Sequence, residues 1–164
     1  MRTREILSYL ERLGIMAKTY EHAPVHTVDE SRELRGNIPG VHTKNLFLRD
    51  SKKNFFLVVT DEATRINLKA LGPRIGAKGG LSFGSPEALM QNLGVTPGSV
   101  SLLATVNDPE KRVTVVLDEA LLKVPLVNCH PLNNQFTTSL SPEEINAFLS
   151  ATAHVPLQIS FADS

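Results

Sequence analysis

The feature that most constrains the fold is a run of five consecutive apolar residues, Phe55 to Val59. A second strand-like segment, Lys44 to Arg49, precedes it, and the polar loop Asp50 to Asn54 joins the two. This pattern is typical of a β-hairpin. Because a strand that is apolar at every position must be covered on both faces, the sequence predicts a sheet with packed layers on either side.

Helix and strand signals surround this hairpin. Helices are predicted at Met1–Leu13, from the capping box Thr27–Glu30 to Gly36, at Leu68–Leu71, from Ser85 to Gly94, and after the capping box Ser141–Glu144. Further strands are predicted at Ala17–Glu21, Leu81–Phe83, Ser99–Val106, Arg112–Leu117, Leu126–Cys129, Thr137–Leu140 and Pro156–Phe161. Ser99–Val106 and Arg112–Leu117 are expected to form a second hairpin. The fold class predicted is α+β, with one domain over residues 1–164 and a mixed, curled, barrel-like sheet that carries helices outside.

Composition limits the possible partners. The chain has 17 basic and 17 acidic residues, and proteins that hold long nucleic acids are usually basic. We therefore expect any RNA contact to be small and confined to one end of the RNA. With one cysteine and no long apolar run, the chain is expected to act in the cytoplasm without a membrane anchor. The oligomeric state is not indicated.

Three segments could carry chemistry. Lys44 begins an apolar strand, so it is either a solvated lysine or a cation that points into a pocket. The glycine-rich loop from Gly94 to Ser101 is either an ordinary connection or a loop that directs N–H groups at an anion. In the segment from Asn128 to Asn134, His130 either orients a substrate or is a hydrogen-bonded histidine of a polar turn.

No signature of metal or nucleophilic catalysis is present. The sequence has no G-x-S-x-G, P-loop or G-x-G-x-x-G motif and no pair of histidines at H-x-x-x-H spacing. Cys129 and His130 are adjacent, and adjacent strand residues point to opposite faces. We therefore expect no metal and no cofactor, and we interpret Cys129 as a small buried apolar residue.

Taken together, several fragments resemble the prolyl-tRNA editing family, also called the YbaK and prolyl-tRNA synthetase insertion-domain family. They are His22–Val25, Thr43–Leu48, Leu81–Phe83 with Ser85 and Pro86, Leu93–Val100, Asn107 with Asp108, and His130–Leu132 with Asn134 and Thr137. Their order and spacing cover nearly the whole chain. They are most similar to freestanding members that remove alanine from proline tRNA.

The resemblance implies a deacylase without metal. The family's central lysine falls on Lys44, with Asn45 beside it. Its G-x-x-x-P loop, which binds the aminoacyl end through backbone amides, corresponds to Gly98, Ser99, Val100 and Ser101, followed by Leu102. This chain has Leu102 where many members have proline, and Ala104 where many have glycine. His130 completes the predicted catalytic set.

The expected partner is the acceptor end of tRNA(Pro), with prolyl-tRNA synthetase as a second candidate. Residues expected to bind substrate are Val28, Leu34, Leu46, Leu102, Asn134 and Thr137, and those expected to contact RNA phosphates are Arg74 and Lys78. Two alternatives remain open. One is a non-catalytic module of the same fold that binds the tRNA end or the synthetase, and the other is a hydrolase of free aminoacyl esters or other small acyl substrates.

Overall fold

A computed structural model describes residues 2–22 and 38–161 of the chain. The helix predicted to begin at Thr27 falls outside these residues, as do Val28 and Leu34. No helix in these two stretches is long and apolar enough to cross a membrane.

Eight strands of the described residues form one mixed sheet. They are β1 (Lys18–Glu21), β2 (Val41–Arg49), β3 (Phe55–Asp61), β4 (Ser82–Phe83), β5 (Val113–Asp118), β6 (Val127–Cys129), β7 (Phe136–Leu140) and β8 (Leu157–Ile159). The order is β1-β7-β6-β2-β3-β5-β8, with β4 paired to β2. The β2–β3 hairpin is antiparallel, whereas β2–β6, β3–β5 and β5–β8 are parallel. The mixed sheet is confirmed, and it is open rather than closed into a barrel.

Strand β3 is buried on both faces, as its continuous apolar sequence predicts. Leu57 and Val59 belong to the larger apolar cluster, which we call the major core. Phe56 and Val58 belong to a smaller cluster on the other face, which we call the minor core. The rest of the minor core consists of Leu48, Leu71, Ile75, Val116 and Phe161. The sheet therefore separates two apolar layers around its β3 and β5 strands.

In the two described stretches, four α-helices pack outside the sheet: α1 (Thr3–Arg12), α2 (Leu68–Arg74), α3 (Pro86–Leu93) and α4 (Pro142–Ala151). The capping box of α4 is confirmed, because the Ser141 hydroxyl accepts from the Glu144 amide and the Glu144 carboxylate accepts from the Ser141 amide. Helix α3 begins after the N-cap Ser85 and ends at Gly94, which has a left-handed φ of 66°.

The strand predicted at Ser99–Val106 is wrong. Residues Pro97–Ser99 and Leu102–Asn107 form two short 3₁₀-helices instead. The Ser101 hydroxyl accepts a hydrogen bond from the Leu103 amide at 3.0 Å, and the Thr105 hydroxyl donates to the Leu102 carbonyl at 2.9 Å. These local bonds compete with a strand ladder, so the apolar run turns instead of extending. The predicted hairpin with β5 is therefore wrong too.

Candidate active site

Lys44 lies on a face of β2 that changes character along the strand. Leu46 and Leu48 are on the same face, because side chains two apart on a strand share a face, and both pack in or against the minor core. Lys44 itself is half-buried and pairs with Thr60 of β3. Lys44 therefore lies just beyond the edge of the minor core.

A group of polar side chains continues this face across β6 and β7. His42 neighbours Asn128 in the parallel β2–β6 pair, and the Ser139 hydroxyl on β7 donates to the Asn128 side-chain oxygen. Two residues earlier on β7, the Thr137 hydroxyl lies 2.8 Å from Nε2 of His22. We call the whole set the polar face; its members are His22, His42, Lys44, Asn128, His130, Thr137 and Ser139.

His130 joins the polar face through two contacts. Its ring centre lies 6.5 Å from that of His22, and its Nδ1 lies 2.8 Å from the carbonyl oxygen of Phe136. Because a carbonyl only accepts, Nδ1 carries the proton in this bond. In the neutral ring, Nε2 is then left as an acceptor.

The environment favours that neutral form. Burial lowers the pKa of His130 below its ordinary value of 6.5; the bond to the Phe136 carbonyl opposes this shift, and the neighbouring His22 adds to it. At neutral pH the polar face therefore combines a neutral imidazole with the cation of Lys44. Such a pair can accept a proton or hydrogen bond at one point and stabilise negative charge at another.

Asn128 fixes the start of β2. Its side-chain amide donates to the carbonyl of Pro39 at 3.1 Å, and its backbone carbonyl accepts from the Thr43 hydroxyl at 2.8 Å. Gly40 lies so close that an added Cβ would be 3.1 Å from the Asn128 amide nitrogen. The residues on both sides of His42 are thereby held against β6, which sets the position of the Lys44 segment.

The loop of residues Gly98 to Ser101, which we call the Gly98 loop, approaches the segment that follows β6. A Cβ added to Gly98 would lie 3.4 Å from the Asn134 amide nitrogen, so these two predicted site residues are neighbours. The Ser99 amide donates to the Thr96 carbonyl at 2.9 Å, so it serves the turn. The Ser101 hydroxyl caps the second 3₁₀-helix and is fully buried. The loop thus meets the His130–Asn134 segment from the side of the major core, to which Val100 belongs.

The predicted site residues fall on two sides of the sheet. Lys44, His130 and Thr137 share the polar face, and Leu46 lies beyond Lys44 on the same face of β2. Asn45 points the other way, and its buried side-chain oxygen has no hydrogen-bond partner within the described stretches. Leu102 is 1% exposed in the major core, away from Leu46. Their roles in substrate binding stay predictions.

The two residues predicted to bind RNA differ in their surroundings. Arg74 donates to the Ser160 carbonyl, and its guanidinium carbon lies 5.9 Å from the centre of the Phe161 ring. Lys78 has an exposed side chain, and its backbone amide donates to Asp50 at 2.9 Å. Arg74 is therefore held against Ser160 and Phe161, whereas Lys78 lies in a loop that is hydrogen-bonded to the β2–β3 turn.

The interpretation of Cys129 as a buried apolar residue is confirmed. The thiol belongs to the major core, and burial raises its pKa to about 12. Cys129 and its neighbour His130 thus point to opposite faces. Within the described residues, no three His, Cys, Asp or Glu side chains come together where they could hold a metal ion.

Sequence reasoning did not assign His22, His42, Asn128 or Ser139 to the site. Alternation of apolar and polar residues gave a signal only at Asn128, between Val127 and Cys129, because His22, His42 and Ser139 each stand next to another polar residue. Finding the face also requires the β2–β6 register, which pairs His42 with Asn128, far along the chain. Hydrophobic patterning does not supply that register.

The model of the aminoacyl-tRNA editing domain matches residues 22–148, a range that contains the polar face and the Gly98 loop. The chain belongs to the aminoacyl-tRNA editing domain family. This match confirms the resemblance that the sequence fragments indicated.

Relatives within the editing domain family cover nearly the entire chain. A zebrafish (Danio rerio) prolyl-tRNA synthetase associated domain-containing protein 1 is 36% identical over 96% of this chain and 86% of its own length. The prolyl-tRNA editing protein ProX of Acetoanaerobium sticklandii is 35% identical over 91% of both chains. A crystal structure of a candidate trans-editing enzyme for prolyl-tRNA synthetase superimposes with a TM-score of 0.71 at 21% identity, covering 96% of this chain and 94% of the other. This last likeness shows the shared fold.

Proposed function

We propose that this protein hydrolyses the aminoacyl ester of mischarged tRNA(Pro), with Ala-tRNA(Pro) as its principal substrate. The observation that carries the proposal is the polar face, where the cation of Lys44 and the unprotonated Nε2 of His130 lie on one side of the sheet. Membership of the editing family and similarity to a protein named for prolyl-tRNA editing support it.

In the proposed reaction, water attacks the ester carbonyl carbon. The C–O bond to the terminal ribose breaks, the ribose oxygen takes up a proton, and free amino acid and tRNA are released. Lys44 binds the terminal ribose or phosphate and stabilises negative charge that develops in the transition state. A neighbouring ribose hydroxyl of the tRNA orients the water, and Nε2 of His130 accepts a hydrogen bond from that hydroxyl.

The Gly98 loop would hold the carbonyl end of the substrate. Backbone N–H groups in a tight loop can converge on one oxygen without a charged side chain. Because the Ser99 amide already serves the turn, the candidate donors are the amides of Gly98, Val100 and Ser101. The approach of Gly98 to Asn134 would bring this loop near the segment that carries His130.

Selection against proline would be steric. A synthetase that accepts proline gains only about 1–3 kcal/mol of discrimination per methylene against a smaller amino acid, so a second, smaller pocket is needed to remove alanine. Leu46, which is half-buried beside Lys44, is the candidate wall on the polar-face side. Leu102 is the candidate on the side of the Gly98 loop, with Val28 and Leu34 as further candidates outside the described residues.

A non-catalytic binding module is the second candidate function. It is favoured by Leu102 and Ala104, which stand where the sequence resemblance implies proline and glycine and which are both buried in the major core. A repacked loop could retain the tRNA end without hydrolysing it. Turnover distinguishes the two functions.

The test is a panel of deacylation assays. Proline tRNA would be charged with alanine, 2-aminobutyrate, serine, cysteine or proline, and release of each amino acid would be followed with catalytic amounts of protein. The proposal predicts multiple turnovers, fastest on alanine and slowest on proline. Stoichiometric binding without turnover would establish the binding module, and equal rates on free aminoacyl esters would indicate a hydrolase that does not need tRNA.

A further inference from the structure

Five exposed cations lie at one end of the sheet, where β2 turns into β3 and β5 begins. We call this surface the basic end; its members are Lys52, Lys53, Lys78, Lys111 and Arg112. The chain as a whole has a formal net charge of zero. The basic residues of this chain are therefore unevenly distributed, and the basic end is a candidate surface for an anionic ligand.

The buried carboxylate of Asp50 brings three of these cations together. It accepts hydrogen bonds from the backbone amides of Lys52 and Lys78, each at 2.9 Å, and from the amide and side chain of Asn54. The Ser51 amide also donates to the Lys78 carbonyl at 3.0 Å. The loop carrying Lys78 is therefore fixed against the turn carrying Lys52 and Lys53.

The turns before β3 and β5 have the same backbone hydrogen bond. Each begins with a buried aspartate, Asp50 or Asp108, whose carbonyl accepts from a lysine amide three residues later. Those lysines are Lys53 and Lys111. Each lies two residues before Phe55 or Val113, which are paired neighbours in the parallel β3–β5 ladder. The two lysines therefore emerge from adjacent strands at the same end of the sheet.

Both lysines have an unfavourable backbone conformation. Lys53 has a φ of 60° and Lys111 a φ of 56°, in the left-handed region where glycine and asparagine are accommodated most easily. A lysine at each of two matching positions gives up some stability. This indicates that the positive charge has a use there, because an observed strained residue is grounds for a functional hypothesis.

Acidic side chains of the same turns offset only part of this charge. Asp50 and Asp108 are 1% and 3% exposed, and their oxygens accept hydrogen bonds from backbone amides. Glu110 is exposed and pairs with Arg112 at 2.5 Å. Five cations therefore stand against three carboxylates, two of which are buried, so the exposed surface of the basic end stays positive.

We propose that the basic end binds phosphates of the tRNA acceptor stem while the 3′ end occupies the polar face. This inference rests on the proposed function. Lys44 precedes Asp50 by six residues of extended strand, which places the basic end about 20 Å from Lys44. Along a strand that is stacked as in a duplex, phosphates follow one another at roughly 3.4 Å, so with the 3′ end stacked on the stem that distance corresponds to about six nucleotides and reaches the stem.

The test replaces the two strained lysines with asparagine, in the double variant Lys53→Asn/Lys111→Asn. Asparagine removes the charge and tolerates the left-handed conformation, so folding should be retained. The matched control is Arg4→Gln/Arg12→Gln, which makes the same change in net charge on the exposed side of α1. Affinity for uncharged tRNA(Pro) would be measured over a range of salt concentrations, alongside deacylation of Ala-tRNA(Pro) and of an alanyl ester of the terminal trinucleotide.

The proposal predicts that the lysine variant binds tRNA more weakly and has a salt slope reduced by about one for each lysine that contacts a phosphate. Its KM for Ala-tRNA(Pro) rises, its kcat stays the same, and the trinucleotide ester is hydrolysed as by the wild type. The control variant behaves as the wild type. An unchanged salt slope, or an equal loss in both variants, would overturn the proposal.

These outcomes are distinct from failure of the proposed function. A wild-type protein that hydrolyses neither substrate would refute the deacylase activity. The binding measurement would still decide whether the basic end holds tRNA, because it needs no turnover.

Discussion

The two halves of strand β2 present different chemistry on the same face of the sheet. Leu46 and Leu48 pack against the minor core, whereas His42 and Lys44 belong to the polar face. The change occurs between Lys44 and Leu46, a step of about 7 Å along the strand. Beyond it, the face continues across β6 and β7 through Asn128 and Ser139.

This difference separates stability from chemistry within one element. Burial of large apolar side chains such as Leu48 stabilises the fold. A half-buried lysine contributes little packing, and its charge strengthens interactions with a ligand that excludes water. Substitutions in the polar half should therefore lower kcat and leave the free energy of unfolding nearly unchanged, whereas substitutions in the apolar half should do the reverse.

The largest effect is expected at His130 of the polar face. Replacing it with glutamine exchanges the basic Nε2 for an amide oxygen, which can accept a hydrogen bond but cannot take up a proton, so kcat for Ala-tRNA(Pro) should fall by about 100-fold or more. The free energy of unfolding, measured in urea, should change far less. A variant with wild-type kcat would show that the imidazole has no part in the reaction.

The pH dependence follows from the direction of the His130 pKa shift. Because its pKa in the folded protein lies below 6.5, the acidic limb of the kcat/KM profile should have its midpoint below 6.5. The unfolded chain binds this proton more readily, so the associated stability is fully present above pH 6.5 and is lost as the pH falls toward the lowered pKa. In the His130→Gln variant this limb and this loss should both disappear. An acidic midpoint above 6.5 would contradict the assignment.

The apolar half should show the opposite signature. Leu48 is fully buried in the minor core, so Leu48→Ala should lower the free energy of unfolding by about 2–5 kcal/mol. The kcat of the folded fraction should remain near the wild-type value, measured below the unfolding temperature. A loss of kcat without a loss of stability would remove the distinction between the two halves.

The smallest effect concerns Asp50, at the far end of β2. Burial would raise the pKa of this carboxyl, but hydrogen bonds from Lys78, Asn54 and Lys52 outweigh burial and lower it to about 2, from an ordinary value of 3.8. A carboxyl with a lowered pKa stabilises the fold above pH 3.8 and ceases to do so as the pH falls toward 2. The midpoint of urea unfolding should therefore depend on pH in this window more steeply in the wild type than in Asp50→Asn. Equal slopes would show that Asp50 does not titrate in this way.

Local patterns predicted much of the fold. The capping box of α4, the Ser85 and Gly94 caps of α3 and the β2–β3 hairpin all depend on residues close together in sequence, and all are confirmed. Such features are readable because the physical cause lies within a few residues.

Two features were not readable in this way. Residues 99–106 have a strand-like composition, but hydrogen bonds made by Ser101 and Thr105 produce 3₁₀ turns. The polar face needs the parallel β2–β6 pairing, in which the Thr43 hydroxyl reaches Asn128 from a distant part of the chain. Lys44 and His130 could each be proposed from the sequence, whereas the face that holds them depends on this long-range register.

The role of Lys44 in catalysis is tested by the rate at which Lys44→Ala hydrolyses Ala-tRNA(Pro). A large loss of kcat is predicted together with an unfolding free energy close to that of the wild type, and Lys44→Arg should restore little, because its planar group does not reproduce a compact ammonium. The matched control is Lys69→Ala, on the exposed surface of α2, which should keep wild-type activity. A Lys44→Ala protein that is folded and deacylates Ala-tRNA(Pro) at the wild-type rate would show that the polar face does not act through Lys44.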